Sequence, residues 1–317
     1  MLQLSSQPTA LDSVQRNSTR SGNANMQYDE AESVFNDFSE ILQSEVYVDL
    51  ERLRLLARHG IPRQLRGEVW KYLLGVEEAD RSKELTSSRA RSEEYHQIDK
   101  VQPEIGKRIR GELSRYQRRT PELSGNFFAR KMENVITAYL TTNRDADYHP
   151  ALIPLCAPFI YTMEHEYDAY HCFDHLMRAI DEYYTQNPIK ECMAQFMSLF
   201  RYVLPDLCNY FEEEEVDLNE WVTSWLQNLL SKEMTFDNLV RLWDSYFSIP
   251  DPFDLHPFIC LAILRNVREN LEDLEQSEIR TMLLRLPAMD MQRILADGQN
   301  IQHETMERQM FEDAEDL

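Results

Sequence analysis

"VDLNEWVTSWLQNLL", residues 216–230, decides the fold class. Leu218, Trp221, Val222, Trp225, Leu226 and Leu229 fall three or four positions apart, so on a 3.6-residue helix they form one apolar stripe. Asp217 and Glu220 make a capping-box pattern, and Val216 is placed to staple onto Trp221. The same period recurs over 123–142, 166–185, 189–211, 235–247 and 256–271. Residues 47–58, with Leu50, Leu53, Leu55 and Leu56, read as another helix, which Gly60 ends as a left-handed cap. Pro62 then takes a first-turn position, where its missing N–H costs nothing. No segment sustains the two-residue alternation of a strand, and neither a repeat nor a long heptad run occurs. The sequence predicts an all-α protein.

Punctuation sets the organisation. Residues 1–28, rich in Ser, Gln, Asn and Thr, read as a disordered leader. Residues 29–296 read as one helical domain, and 297–317, ending "MFEDAEDL", as an acidic tail, either a solvated end or a last amphipathic turn. Within the domain, "EEADRSKELTSSRARSEE" (77–94) is charged enough to be a surface loop or an exposed helix. "SIPDPFDLHP" (248–257) holds three prolines and reads as a rigid loop between helices.

Composition excludes several classes. The net charge of −22 repels phosphate backbones, so nucleic acid is not an expected partner. Only 8 residues are glycine, and neither GxxxxGK[ST] nor GxGxxG occurs, which argues against a nucleotide-binding protein. Five cysteines, an odd number without a CxxC pair, sit in apolar stretches and read as reduced core residues of an intracellular protein. The longest apolar run, Ala151–Met163, is interrupted by Pro154 and Pro158 and is too short to span a bilayer. His165 and His171 in "MEHEYDAYH" are six apart, off one helix face, and do not make a zinc motif. "EEEE" (212–215) lacks the glycine and alternating ligands of a calcium loop. No metal and no cofactor are expected.

Three further stretches carry function. In "GIPRQLRGEVWKYLLG" (60–75), Leu65, Val69 and Leu73 form the buried face, while Arg66 and Trp70 share another face at i, i+4. There the guanidinium can stack on the indole and still reach a carboxylate. The second is "IRGELSRY" (109–116), inside a basic run of Lys107, Arg108, Arg110, Arg115, Arg118 and Arg119. Such a run is ordinarily a solvated helix face. The third is "FDNLVRLWDSYF" (236–247), behind the Trp-bearing helix.

In this order, on a helical background, the three stretches resemble the TBC domain, the family of Rab GTPase-activating proteins, over roughly residues 45 to 290. The resemblance implies a two-lobed helical fold and a Rab-type small GTPase as partner. That partner brings GTP and Mg²⁺, so this chain needs no cofactor and carries out no reaction of its own. It implies work in vesicle trafficking, in the cytoplasm and peripherally on endomembranes through the partner.

It also implies two residues supplied in trans: an arginine from I-x-x-D-x-x-R and a glutamine from Y-x-Q. The first maps onto Ile109 to Arg115, with Glu112 where the family has Asp. Arg115 is then the finger, a permanent planar cation suited to phosphate oxygens, oriented by Glu112. The second motif falls on "DADYHPALIPLCAPFIY" (145–161): Tyr148 is present, but Pro150 stands in the glutamine slot. Proline has neither a side-chain donor nor an N–H and cannot orient water. His149 beside it is the other polar group at hand. Arg66, Trp70, Arg241, Trp243 and Asp244 match the structural signature, both arginines being expected at least half-buried and paired with acids, Asp244 among them. Two readings stay open: an activator working chiefly through Arg115, or a catalytically inactive domain that binds a GTPase or serves as a scaffold. A third is a helical adaptor that shares the three stretches by chance.

Overall fold

The computed structural model describes residues 31–315, and the expected leader over 1–28 lies outside them. Among the described residues every regular element is helical, as predicted, apart from a single bridge between Tyr47 and Asp80. Helix α1 covers 31–42, followed by α2 (Leu50–Ala57), α3 (Arg66–Leu73), α4 (Glu84–Gln97), α5 (Pro103–Gln117) and α6 (Asn126–Thr142). Then come α7 (Leu152–Thr162), α8 (Glu166–Gln186), α9 (Ile189–Val203), α10 (Pro205–Glu213) and α11 (Leu218–Gln227). The chain closes with α12 (Phe236–Phe247), α13 (Pro252–Leu271), α14 (Gln276–Leu283) and α15 (Met291–Glu315).

The apolar run containing two prolines is the axis of the N-terminal half. Residues 152–160 are all buried, and α3, α5, α6, α8 and α12 pack around α7. Its C-terminus is closed by Lys131 of α6, whose Nζ donates to the carbonyls of Met163 (2.6 Å) and Ile160 (3.3 Å). A cation there satisfies orphaned carbonyls and opposes the helix dipole. Gly67 lets α3 approach the same end, since a Cβ at that position would stand 2.4 Å from the Thr162 carbonyl oxygen. Trp70, Phe159, Trp243 and Phe247 interlock against this axis. The C-terminal half has its own aromatic centre, Trp221 with Phe196, Phe200, Phe211 and Trp225, and is backed by α13 on α15. Helix α12 touches α2, α3, α7 and α15 and so joins the halves.

Several boundaries differ from the sequence reading. Pro62 is not a helical residue: it opens a turn, its carbonyl accepting from the Leu65 and Arg66 N–H groups, and α3 begins only at Arg66. Residues 189–211 are two helices, broken where Pro205 starts α10. The proline-rich loop shrinks to 248–251, because Pro252 heads α13 and Pro257 lies inside it. Asp217 caps α11 by accepting from Asn219 N–H, but Glu220 pairs with Arg280 instead of closing the box. A complete capping box forms at Glu275 and Glu278. The acidic tail was expected from residue 297, yet α15 runs through Asp297 without interruption and buries Ile301 and Thr305. Among the described residues no helix is long and apolar enough to cross a membrane.

Candidate functional site

Arg66 and Trp70 meet a single carboxylate. Asp244, fully buried on α12, accepts from Arg66 Nε (2.9 Å), Arg66 Nη2 (3.1 Å), Trp70 Nε1 (2.9 Å) and the Ile61 N–H (3.0 Å). The guanidinium therefore bonds beside the indole rather than stacking on it, and Arg66 Nη2 also donates to the Ile61 carbonyl at 2.8 Å. Burial pushes the Asp244 carboxyl upward, while Arg66 and the neutral N–H donors work against that shift. Arg241 departs from the expectation of an acid partner: it donates to Ser245 Oγ (2.8 Å) and the Arg58 carbonyl (3.0 Å). It lies against Gly60, whose φ of +107° is the left-handed cap expected there. Trp243 is buried and donates to the Leu229 carbonyl at 3.3 Å. This hub fastens α3 to α12.

The other arginine cluster faces solvent. On α5, Ile109 and Leu113 are buried while Arg108, Glu112 and Arg115 lie on an outer face. Arg115 pairs with Glu112 at 2.9 Å, its side chain 69% exposed. Arg108 stacks over the Tyr148 ring at 4.6 Å. Burial raises the Tyr148 hydroxyl above its ordinary range, with Glu112 adding to the effect and Arg108 opposing it. These contacts bring the two expected motifs together along one edge of the molecule. Burial lowers His149, and the Lys232 cation lowers it further.

Two cavities open beside that edge. One, about 250 Å³, is lined by Tyr116, Arg119, Thr120, Glu122, the turn 231–235 and Arg285; Arg115 is not among its lining residues. The other, about 710 Å³, is lined by His149, Pro150, Asp145, Asp147, Asp181, Asn228 and Lys232. Lys232 borders both. Of the expected site residues, Tyr148 therefore meets α5, whereas His149 and Pro150 line the larger cavity with Lys232. Of the basic run, Arg119, just past the end of α5, lines the smaller of these two cavities. Arg119, Lys232 and Arg285 carry no ion pair among the described residues. The sequence put Arg119 in a basic run without distinguishing it, and nothing local marked Lys232 or Arg285. Their signal is tertiary: α5, the 143–151 loop and the turn after α11 converge only in the fold. No group of side chains suited to a metal ion occurs among the described residues.

A helical domain with this hub and this edge belongs to the Rab-GTPase-TBC domain family, whose sequence profile matches residues 63–272. The chain is 25% identical over 292 residues to the GTPase-activating protein gyp1 of Schizosaccharomyces pombe, covering 80% of this chain and 57% of that protein. It is 24% identical over 282 residues to human TBC1 domain family member 22B, covering 78% and 56%. It thus spans a little over half the length of these relatives. Its fold is similar to the crystal structure of the Ypt/Rab-GAP domain of Gyp1p (TM-score 0.74, 19% identity, 87% of this chain and 99% of that one). It is also similar to the Chlamydomonas flagellar RabGAP TBC domain (TM-score 0.61, 18% identity, 90% and 93%).

Proposed function

We propose that the protein binds a Rab-type small GTPase and accelerates its GTP hydrolysis by presenting cations from the C-terminal end of α5. The observation that carries this reading is the juxtaposition of a basic helix end, where Arg119 has no ion pair among the described residues, with the 143–151 loop on a molecule of net charge −22. Family membership and the description of one relative, gyp1, as a GTPase-activating protein support it. A guanidinium in that position neutralises charge that builds up on the transferring phosphoryl group. Arg115 is the finger by motif spacing, held toward the edge by Glu112 as the expected acid would hold it. Arg119 is the second candidate, because it lines the cavity and lacks an acid partner. The GTPase brings nucleotide and Mg²⁺, and association with endomembranes follows the partner.

Pro150 favours a second reading, a domain that binds the GTPase without stimulating it. It lines the larger cavity and supplies no group that can orient water. Single-turnover hydrolysis across a panel of Rab-type GTPases separates the two. Activation predicts stimulation of at least one member by the wild-type protein, and about tenfold more by Pro150→Gln, a modest return for one added amide. Binding at saturating protein without stimulation by either form would leave the docking module.

A further inference from the structure

The turn that follows α11 has an unusual backbone. Leu229 and Leu230 are successive non-glycine residues in the left-handed region, with φ of +47° and +61°. A branched side chain there costs roughly 1–2 kcal/mol per residue, and such strain concentrates at functional positions. The turn is pinned from several directions. Leu230 N–H donates to the Trp225 carbonyl (3.3 Å), Ser231 N–H to the Asn228 carbonyl (2.9 Å), and Leu286 N–H to the Glu233 carbonyl (2.9 Å). The outcome is a fixed alternation in which Ser231 and Glu233 are buried and Lys232 between them is exposed.

That lysine stands on an electrostatic border. The larger cavity on one side is lined by Asp145, Asp147 and Asp181, which repel anions. The smaller cavity on the other carries Arg119, Lys232 and Arg285 against Glu122 and Glu233. Glu233 is turned inward, accepting from Ser224 Oγ at 2.5 Å, with its other carboxyl oxygen buried and without a hydrogen-bond partner among the described residues, and burial raises its carboxyl. Ser231 Oγ is buried, lines the same cavity and has no hydrogen-bond partner among the described residues. A hydroxyl donor without an acceptor beside an unpaired ammonium is a phosphate-binding chemistry.

We propose that the Ser231–Lys232 turn is a phosphate-contacting element, Lys232 meeting the phosphoryl group of the partner's nucleotide as its negative charge develops. The assignment rests on the activator reading above and deepens it: the chain supplies a second cation opposite α5, in the region where Pro150 offers no donor. Lysine suits this position as a compact charge with three rotatable donors.

The test uses the full chain and a GTPase that responds in the panel. Lys232→Gln should cut single-turnover stimulation by about ten- to hundredfold, the range of a charge-assisted hydrogen bond. Lys232→Arg should retain most of it. Affinity for the GTPase carrying GDP and aluminium fluoride should fall by the same factor in Lys232→Gln, while affinity for the form carrying a non-hydrolysable GTP analogue stays within about twofold. Lys232 is exposed and unpaired, so the thermal midpoints of both variants should match wild type. Full stimulation by Lys232→Gln overturns the assignment and leaves the activator reading standing. So does equal weakening toward both nucleotide forms, which is a docking charge only. A wild-type protein that stimulates no member overturns both.

Discussion

Arg66 and Arg119 carry the same guanidinium and sit in opposite circumstances. Arg66 is 14% exposed and bonded to a carboxylate that is itself fully buried. Arg119 is exposed, unpaired, and lines a cavity. The difference lies in what the rest of the fold brings to each. Asp244 reaches Arg66 from far along the chain because α12 packs on α3, whereas Arg119 shares its cavity with Glu122 without an ion pair to it. A desolvated guanidinium that has found its carboxylate is committed to holding the scaffold. A solvated one without a partner is free to meet an anion on another molecule. Charge alone does not distinguish them, since both are permanent guanidinium cations.

The sharpest way to break this comparison is to delete each cation. If the α5 end acts on the partner's phosphate, removing the responsible arginine should lower stimulated hydrolysis by about 10³–10⁵, the range for arginine fingers, without changing the thermal midpoint. Arg115→Ala and Arg119→Ala tested side by side assign that role. Loss with Arg119→Ala alone gives it to the cavity residue, and loss with neither shows that the cluster is only a solvated face.

On the scaffold side, Asp244→Ala strands Arg66 and leaves the Trp70 and Ile61 N–H groups without their acceptor. Removing one partner of a buried pair costs about 3–5 kcal/mol, which urea unfolding would register as a lower midpoint. An unchanged midpoint would mean that the hub does not hold α3 to α12.

A smaller effect comes from His256, buried on α13 with Nδ1 2.6 Å from the Tyr246 hydroxyl and Nε2 2.8 Å from the Trp225 carbonyl. Both bonds are made by a neutral ring, the hydroxyl donating to Nδ1 and Nε2–H donating to the carbonyl. Burial lowers its pKa from 6.5 to about 4. The unfolded chain therefore takes up a proton first as the pH falls. Stability is intact above about pH 6.5 and drains away toward pH 4, by about 3 kcal/mol in all. Urea midpoints between pH 7 and 5 should decline more steeply for wild type than for His256→Gln. Parallel slopes would remove His256 as the cause.

How much was legible depends on the range of the interaction. Trp221, Val222, Trp225 and Leu226 are buried as their spacing requires, because helical periodicity acts within two turns. Boundaries were harder. Local pattern reads through Pro205 as part of one helix and puts Pro252 in a loop, because whether a proline ends one helix or begins the next depends on the backbone around it. Glu220 was placed to complete a capping box and was taken by Arg280 of α14, a partner that no local pattern announces. At the site, the motifs nominated Arg115, Tyr148 and Pro150 as candidates. The cavity that favours Arg119 exists only once the turn at 229–233 is folded against α5.

The sequence by itself determined that the chain is helical and that its cysteines belong to apolar stretches, properties that follow from local period and residue chemistry. That Arg66, Trp70 and Asp244 belong to one signature came from the family resemblance. Tertiary structure decided which arginines are spent on the scaffold and which remain available, and it set Lys232 between an acidic cavity and a basic one. A side chain's electrostatic role is fixed by whatever the fold packs within a few ångströms of it, and for these residues that neighbourhood is assembled from segments distant in the chain.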